Sequence, residues 1–260
     1  MKYGFIGCGN MGGAIAKALS RATTDIMLSD PSPRTSSLAE ELHCIYGSNI
    51  EAVESCDRLF LAVKPQMLEQ VLSPLSDALA QRKPLLVTMA AGVEIAKIES
   101  LIGAKLPIIR IMPNTPVMVG KGTILYCRNE VVTDDILNDF LNDMRYCGIL
   151  DPIPENLIDA ASALSGCGPA YVYMFIEALS DGAVACGVPR TNAIKYAAST
   201  LAGAAEMVLQ TGMHPGALKD AVCSPGGSTI AGVKALEENH FRGAVMDCID
   251  AAYRRTKELG

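Results

Sequence analysis

The residues best placed by type and spacing to do chemistry lie in short segments rich in glycine, proline and hydroxyl side chains. Gly7-Cys8-Gly9-Asn10-Met11-Gly12 is a Gly-x-Gly-x-x-Gly run that follows a short apolar segment ending at Ile6 and opens an Ala/Ile/Leu-rich stretch. Between a strand and a helix, the first glycine of such a run permits a tight turn. The second lets the backbone approach a pyrophosphate, and the third lets helix and strand pack closely. Phosphates then rest on the positive end of the helix dipole. The segment is expected to hold a dinucleotide. At the other end of the chain, Ser224-Pro225-Gly226-Gly227-Ser228-Thr229 precedes an apolar-periodic stretch. A Gly-Gly pair lets backbone N–H groups turn inward, and Ser228 or Thr229 suits an N-cap, so this is either a carboxylate site or an ordinary capped helix start.

Two further segments border the expected cofactor crevice. Ala62-Val63-Lys64-Pro65-Gln66 leaves a strand and opens a helix, with Pro65 fitting the first helical position. Lys64 is open to two readings: a general acid, or an electrostatic neighbour in a loop that packs its backbone against the nicotinamide half. Met112-Pro113-Asn114-Thr115-Pro116 leaves another strand; its prolines stiffen a loop that either borders the nicotinamide through Asn114 or simply connects elements. The end of the second strand bears on which dinucleotide is held. Asp30 stands near the position of a carboxylate that receives a ribose 2′-hydroxyl, favouring NAD(H), whereas Ser32 and Arg34 suit the 2′-phosphate of NADP(H). Asp30 also reads as a turn residue in Asp30-Pro31-Ser32-Pro33. The balance tilts to NADP(H), with NAD(H) kept open.

The elements that must position these residues alternate along the first part of the chain. Strands are expected at 2–6, 25–29, 58–63, 85–89 and 108–112, with helices at 11–22, 34–43, from 65, and 94–102, the pattern of a doubly wound parallel sheet. A strand at 123–127, a helix at 134–146 and a strand at 148–153 complete it. After Pro154 the pattern changes to helix after helix, at 157–164, 170–186, 192–210, 215–222, 230–238 and 243–259. The fold class is therefore α/β: a Rossmann-type dinucleotide-binding domain over residues 1–156, followed by an all-helical domain over 157–260. The stretches 171–179 and 197–209 are apolar on more than one face, so burial against a second chain is expected.

Composition narrows the field. Of 260 residues 50% are hydrophobic and 19% charged, which disfavours disorder. A net charge of -6 with both signs interleaved gives no footprint for nucleic acid or an anionic membrane. Gly7 follows the start too closely for a signal peptide, and Glu177 and Asp181 break the longest apolar helix candidate, so a cytoplasmic protein is expected. The 9 cysteines are scattered singly, without a Cys-x-x-Cys pair, and are expected to be mostly buried and reduced. His43, His214 and His240 lie apart with no ligand spacing, so no metal is expected.

The ordered set of motifs resembles the pyrroline-5-carboxylate reductases. It comprises the Gly7–Gly12 run, Ala62-Val63-Lys64-Pro65, Ala90-Ala91-Gly92, Met112-Pro113-Asn114-Thr115-Pro116, the stretch from Leu164 to Tyr171, His214-Pro215-Gly216 and Pro225-Gly226-Gly227 with Thr229. The resemblance implies reduction of the cyclic imine pyrroline-5-carboxylate to proline, the last step of proline synthesis. It also implies that Thr229 offers its hydroxyl to the ring nitrogen while Gly226, Gly227 and Ser228 receive the carboxylate. Asn49 resembles a family asparagine that touches the adenosine ribose, although its surroundings also permit a plain helix cap. The family forms homodimers through intertwined C-terminal helices and assembles these into larger rings, which extends the expectation to a decamer. Cys167 departs from the serine common in the Ser-Gly-x-Gly-Pro turn, and Ser228 from the Thr or Ala common before the final Thr. A β-hydroxyacid dehydrogenase is the nearest rival, but that family places a lysine early in the helical domain. Gly166 to Tyr171 offers none. A dinucleotide-responsive binding protein without turnover is the other alternative.

Overall fold

The computed structural model describes residues 1–259. Its chain order is β1 (Tyr3–Ile6), α1 (Asn10–Leu19), β2 (Ile26–Ser29), α2 (Pro33–Leu42), β3 (Ile45–Tyr46), α3 (Asn49–Ser55), β4 (Arg58–Leu61), α4 (Leu68–Leu72), α5 (Ser76–Arg82), β5 (Leu85–Thr88), α6 (Ile95–Ile102), β6 (Ile108–Met112), β7 (Gly122–Arg128), α7 (Asp134–Asp143), β8 (Gly148–Pro152) and α8 (Glu155–Ser165). Then come α9 (Gly168–Ala185), α10 (Arg190–Thr211), α11 (Pro215–Ala221), α12 (Ser228–Glu238) and α13 (Phe241–Leu259). The strands form one sheet in the order β3-β2-β1-β4-β5-β6-β7-β8. Strands β1, β2, β4, β5 and β6 are buried along their whole length, as parallel strands covered on both faces must be.

Apolar side chains divide between the two faces. Phe5, Ile15, Leu19, Leu28, Phe60 and Phe140 form one core, in which Phe5 stacks on Phe60 with ring centroids 4.5 Å apart. Val53, Leu59, Leu61, Leu72, Ile98 and Ile108 form the other. Each fully buried side chain of this size contributes about 1.5–3 kcal/mol.

The expected elements are present, with three differences. Strand β7 runs antiparallel to β6, because the connection between them is a short segment holding a one-turn 3-10 helix, Thr115–Val119, and no crossover helix. The helix expected from Pro65 is broken into short α and 3-10 turns, and Pro74 lies at the start of one of them. Strand β3 has no counterpart among the expected elements, and α3 only in the reading of Asn49 as a helix cap. Each is short, yet Ser48 and Glu51 form a capping box at the start of α3 that the Ser-x-x-Glu spacing announces.

By packing, residues 1–167 and 252–259 form one compact unit and residues 168–251 a second. Chain order begins the helical domain at 157, but α8 is tied to the sheet by a buried ionic network. Arg110, 1% exposed in the middle of β6, bonds Asp159 at 2.7 Å and Glu155 at 3.3 Å. Glu155 also accepts the N–H of Ile95 at 2.7 Å, and Lys257 reaches the second oxygen of Asp159 at 3.4 Å.

The second unit has scarcely any interior of its own. Among residues 168–251 only Ser180, Ala193 and Ala197 are buried, while Tyr173, Met174, Tyr196, Leu209 and Met246 lie exposed. No described helix is long and apolar enough to cross a membrane. The cysteines are less buried than expected: only Cys56 and Cys147 are buried, while Cys8, Cys44, Cys127 and Cys167 of the sheet unit are half-buried and Cys186, in the turn before α10, is exposed.

Removing one partner of a buried, hydrogen-bonded ion pair leaves the other charges uncompensated. Arg110→Ala is therefore expected to lower the stability of the sheet unit by about 3 kcal/mol, read as an earlier midpoint in urea unfolding followed by far-UV circular dichroism. A variant as stable as the parent would show that the network contributes nothing.

Candidate functional site

Strand β1 lies between β2 and β4, so the loops leaving β1 and β4 are neighbours at the point where the sheet order reverses. Gly7 adopts φ 95°, and a Cβ there would stand 2.6 Å from the carbonyl oxygen of Ala62. On Gly12, a Cβ would stand 2.3 Å from the carbonyl oxygen of Gly7 and 2.9 Å from the Ala62 Cβ. Ala62 and Val63 are thus pressed against the glycine turn, and Ile6, buried beneath, accepts the Ala62 N–H at 2.8 Å.

Gly9 is different: a Cβ there would meet nothing within 4 Å. It is also the N-cap of α1, and no side chain caps the helix. Gly13 N–H is the first to find a helical carbonyl, that of Gly9 at 2.9 Å, so the amides of Asn10, Met11 and Gly12 begin the helix without intrahelical acceptors. A helix start with open donors and free space above its second glycine fits a pyrophosphate. Cys8 stays a neutral thiol beside this anion site: burial, aided by the nearby charge of Asp30, pushes its pKa up to about 12.

The loop after β2 is built around Asp30. One carboxylate oxygen accepts the N–H of Cys8 and the other the N–H of Ser32, each at 2.8 Å. The turn-residue reading of Asp30 is thereby present in the structure. Ser32 caps α2, its hydroxyl accepting the Arg34 N–H at 3.4 Å, and the Arg34 side chain is exposed. Asn49 is the first residue of α3 and does not cap it, since Ser48 does; its side-chain oxygen accepts the Ser29 hydroxyl at 2.6 Å.

After β4, Lys64 is exposed and Pro65 opens a one-turn 3-10 helix instead of an α-helix. Asn114, 7% exposed, braces its own surroundings. Its oxygen accepts the Thr123 N–H and its amide donates to the Ser165 carbonyl, both at 2.9 Å. The sheet unit therefore gathers Ile6, Gly7 to Gly12, Ser32, Arg34, Asn49 and Ala62 to Pro65 around the carboxyl ends of β1, β2 and β4, while Asn114 lies beyond β6.

In the helical unit, Gly226 takes φ 69° and Gly227 is the N-cap of α12, with no side-chain cap. This corrects the N-cap reading of Ser228 and Thr229, which are the first and second helical residues. A Cβ on Gly227 would meet the Ser224 hydroxyl at 2.3 Å and the Ser224 carbonyl oxygen at 3.2 Å, so a larger residue there would force the Ser224 side chain to turn aside. The first helical N–H bond is Ala231 to the Gly227 carbonyl at 3.3 Å, which leaves the amides of Ser228, Thr229 and Ile230 without intrahelical acceptors. The hydroxyls of Ser228 and Thr229 are exposed and have no partner among the described residues. Backbone donors and hydroxyls at one helix tip suit a small carboxylate. No three His, Cys, Asp or Glu side chains gather at metal-binding distance among the described residues.

The reading of the sequence overlooked the Arg110, Glu155 and Asp159 network. Its signal was available: one arginine inside the apolar run from Ile108 to Met112, and two carboxylates four residues apart at the start of a helix.

Comparison with known proteins agrees with both halves. Residues 155–259 match the family model for pyrroline-5-carboxylate reductase dimerisation, and residues 2–92 the model for NADP oxidoreductase, coenzyme F420-dependent. The pyrroline-5-carboxylate reductase of Escherichia coli K12 is 42% identical, covering 99% of this chain and 98% of that one. That of Synechocystis is 40% identical over 100% and 98%. The crystal structure of Plasmodium falciparum pyrroline carboxylate reductase with NADP bound superposes with a TM-score of 0.91 at 35% identity, over 100% of this chain and 98% of that one. Identity at this level over nearly the whole length of both chains places this chain in the pyrroline-5-carboxylate reductase family.

Proposed function

We propose that this pyridine-nucleotide-dependent reductase binds its imine acid at the start of α12 and its dinucleotide over α1, with NADPH preferred to NADH. The observation that carries the substrate half is the uncapped tip of α12: the Gly227 N–H is taken by the Ser224 carbonyl at 3.0 Å, but the amides from Ser228 onward have no intrahelical acceptor beside the Gly226-Gly227 turn, and Thr229 offers an unpartnered hydroxyl next to them. When bound, the reduced nicotinamide supplies a hydride to the carbon of the imine, converting 1-pyrroline-5-carboxylate to proline.

The chain's own residues hold and orient. Fixing the carboxylate at a helix tip removes the rotational freedom of a small ring and sets which of its faces is presented. Thr229 directs its hydroxyl to the ring nitrogen. An alcohol is too weak an acid to give up its proton outright, so the residue orients the ring or relays a proton from water. Ile6, Gly7, Cys8, Gly9, Asn10, Met11 and Gly12 hold the pyrophosphate, Asn49 lies by the adenosine ribose, and Ala62, Val63, Lys64, Pro65 and Asn114 border the nicotinamide half.

The preference for NADPH rests on Ser32 and on Arg34, whose exposed guanidinium has no ion-pair partner among the described residues. Arginine suits a phosphate because its planar fork donates two hydrogen bonds at once. Residues 157–260 act as substrate-binding and dimerisation domain. The chain forms a homodimer through these C-terminal helices, with a decamer as the full assembly, and works in the cytoplasm without membrane or nucleic-acid partners. The exposed apolar side chains of α9, α10 and α13 support the dimer.

Thr229→Ala is expected to lower kcat with pyrroline-5-carboxylate by about a hundredfold, while the affinity for NADPH, read by calorimetric titration, stays nearly constant. Unaltered turnover would remove Thr229 from the reaction. Arg34→Ala is expected to weaken NADPH by about tenfold and NADH little; an equal effect on both would take Arg34 out of the phosphate site.

A further inference from the structure

The carboxylate of Asp30 ties together several parts of the adenosine end of the site. Its bonds to the N–H groups of Cys8 and Ser32 link the glycine turn to the turn that starts α2. Its own carbonyl accepts the Tyr46 hydroxyl at 3.3 Å, which brings in β3. The preceding residue extends the tie, for the Ser29 carbonyl accepts the Gly7 N–H at 2.8 Å and the Ser29 hydroxyl donates to Asn49.

At the end of the second Rossmann strand, a carboxylate is ordinarily read as the group that receives ribose hydroxyls and disfavours a 2′-phosphate. Here each oxygen is already engaged by a backbone amide. Two amide dipoles aimed at the carboxylate offset its charge locally, which weakens its repulsion of a second anion nearby. The turn it holds is the one that carries Ser32 and Arg34.

Resting on the dinucleotide reading above, we propose that Asp30 is a positioning residue that preorganises the adenosine end for either nicotinamide cofactor and does not select between them. Without the carboxylate, the glycine turn and the α2 turn each lose a fixed partner, and the cost of ordering them falls on binding.

The test compares wild type, Asp30→Asn and Asp30→Ser by calorimetric titration with NADPH, NADH, 2′,5′-ADP and ADP, together with melting temperature and steady-state kinetics in both cofactors. For Asp30→Asn, the expected result is a common loss of affinity for NADPH and NADH of about tenfold. KM for each cofactor should rise in step, and kcat at saturation should hold. The two adenosine fragments should weaken by the same factor as the whole cofactors, because the effect resides at that end. Asp30→Ser, whose single hydroxyl is shorter and cannot reach both amides, should lose at least as much as Asp30→Asn. A general loss of structure would lower kcat and melting temperature together, which overturns a positioning role. Tighter NADPH, a loss confined to NADH, or unchanged affinities would each overturn the proposal as well. A wild type that binds neither dinucleotide would refute the cofactor reading itself, and does so before any variant is compared.

Discussion

The end of β1, the first turn of α1 and the end of β4 approach so closely that no side chain fits between them. The imagined Cβ on Gly12 falls 2.3 Å from the Gly7 carbonyl, and that on Gly7 falls 2.6 Å from the Ala62 carbonyl. Such contacts are far inside van der Waals separation, so glycine at these positions is a condition of the fold. From this closeness the rest of the nucleotide half follows. The helix starts immediately beyond the sheet, its open amides lie at the sheet's carboxyl edge, and Gly9 is left facing free space. Asp30 then secures the turn from the side by holding the Cys8 N–H.

The helical unit solves a similar problem by similar means. A phosphate and a carboxylate are both anions, and each is offered the start of a helix that no serine, threonine or aspartate side chain closes off. In both, a glycine occupies the N-cap, Gly9 in α1 and Gly227 in α12. Glycine in place of a capping side chain costs only about a few tenths of a kcal/mol of local stability. Other helices also start without a side-chain cap, α6 on Glu94, α8 on Pro154 and α10 on Pro189, but α1 and α12 combine an uncapped start with a glycine turn that lets a ligand approach the open donors.

The fold class was legible because buried parallel strands appear as short apolar runs, and the helices between them keep their period. What stayed hidden was small or depended on contacts distant in sequence. Strand β3 is two residues long and exposed, so it carries no apolar signal of its own. The reversal of β7 depends on the length of one connection, since Thr123 to Cys127 would read the same in either direction. The residues of the candidate site were legible as motifs, but their partners were not. That Asp30 bonds Cys8 and Ser32, that Asn114 braces Thr123 and Ser165, and that Gly227 caps α12 instead of Ser228 are matters of a few ångströms of backbone placement.

The scarcity of buried residues between 168 and 251 bears on how this protein is made as well as on how it works. In the homodimer proposed above, apolar side chains of this segment are shielded by the partner, and the segment has less reason to consolidate while its chain is alone. Its folding is then coupled to association, and its resistance to unfolding rises with the amount of protein present. The nucleotide-binding half, with cores on both sides of its sheet, is under no such obligation. Dilution should therefore loosen the two halves of the same polypeptide unequally, the helical half first.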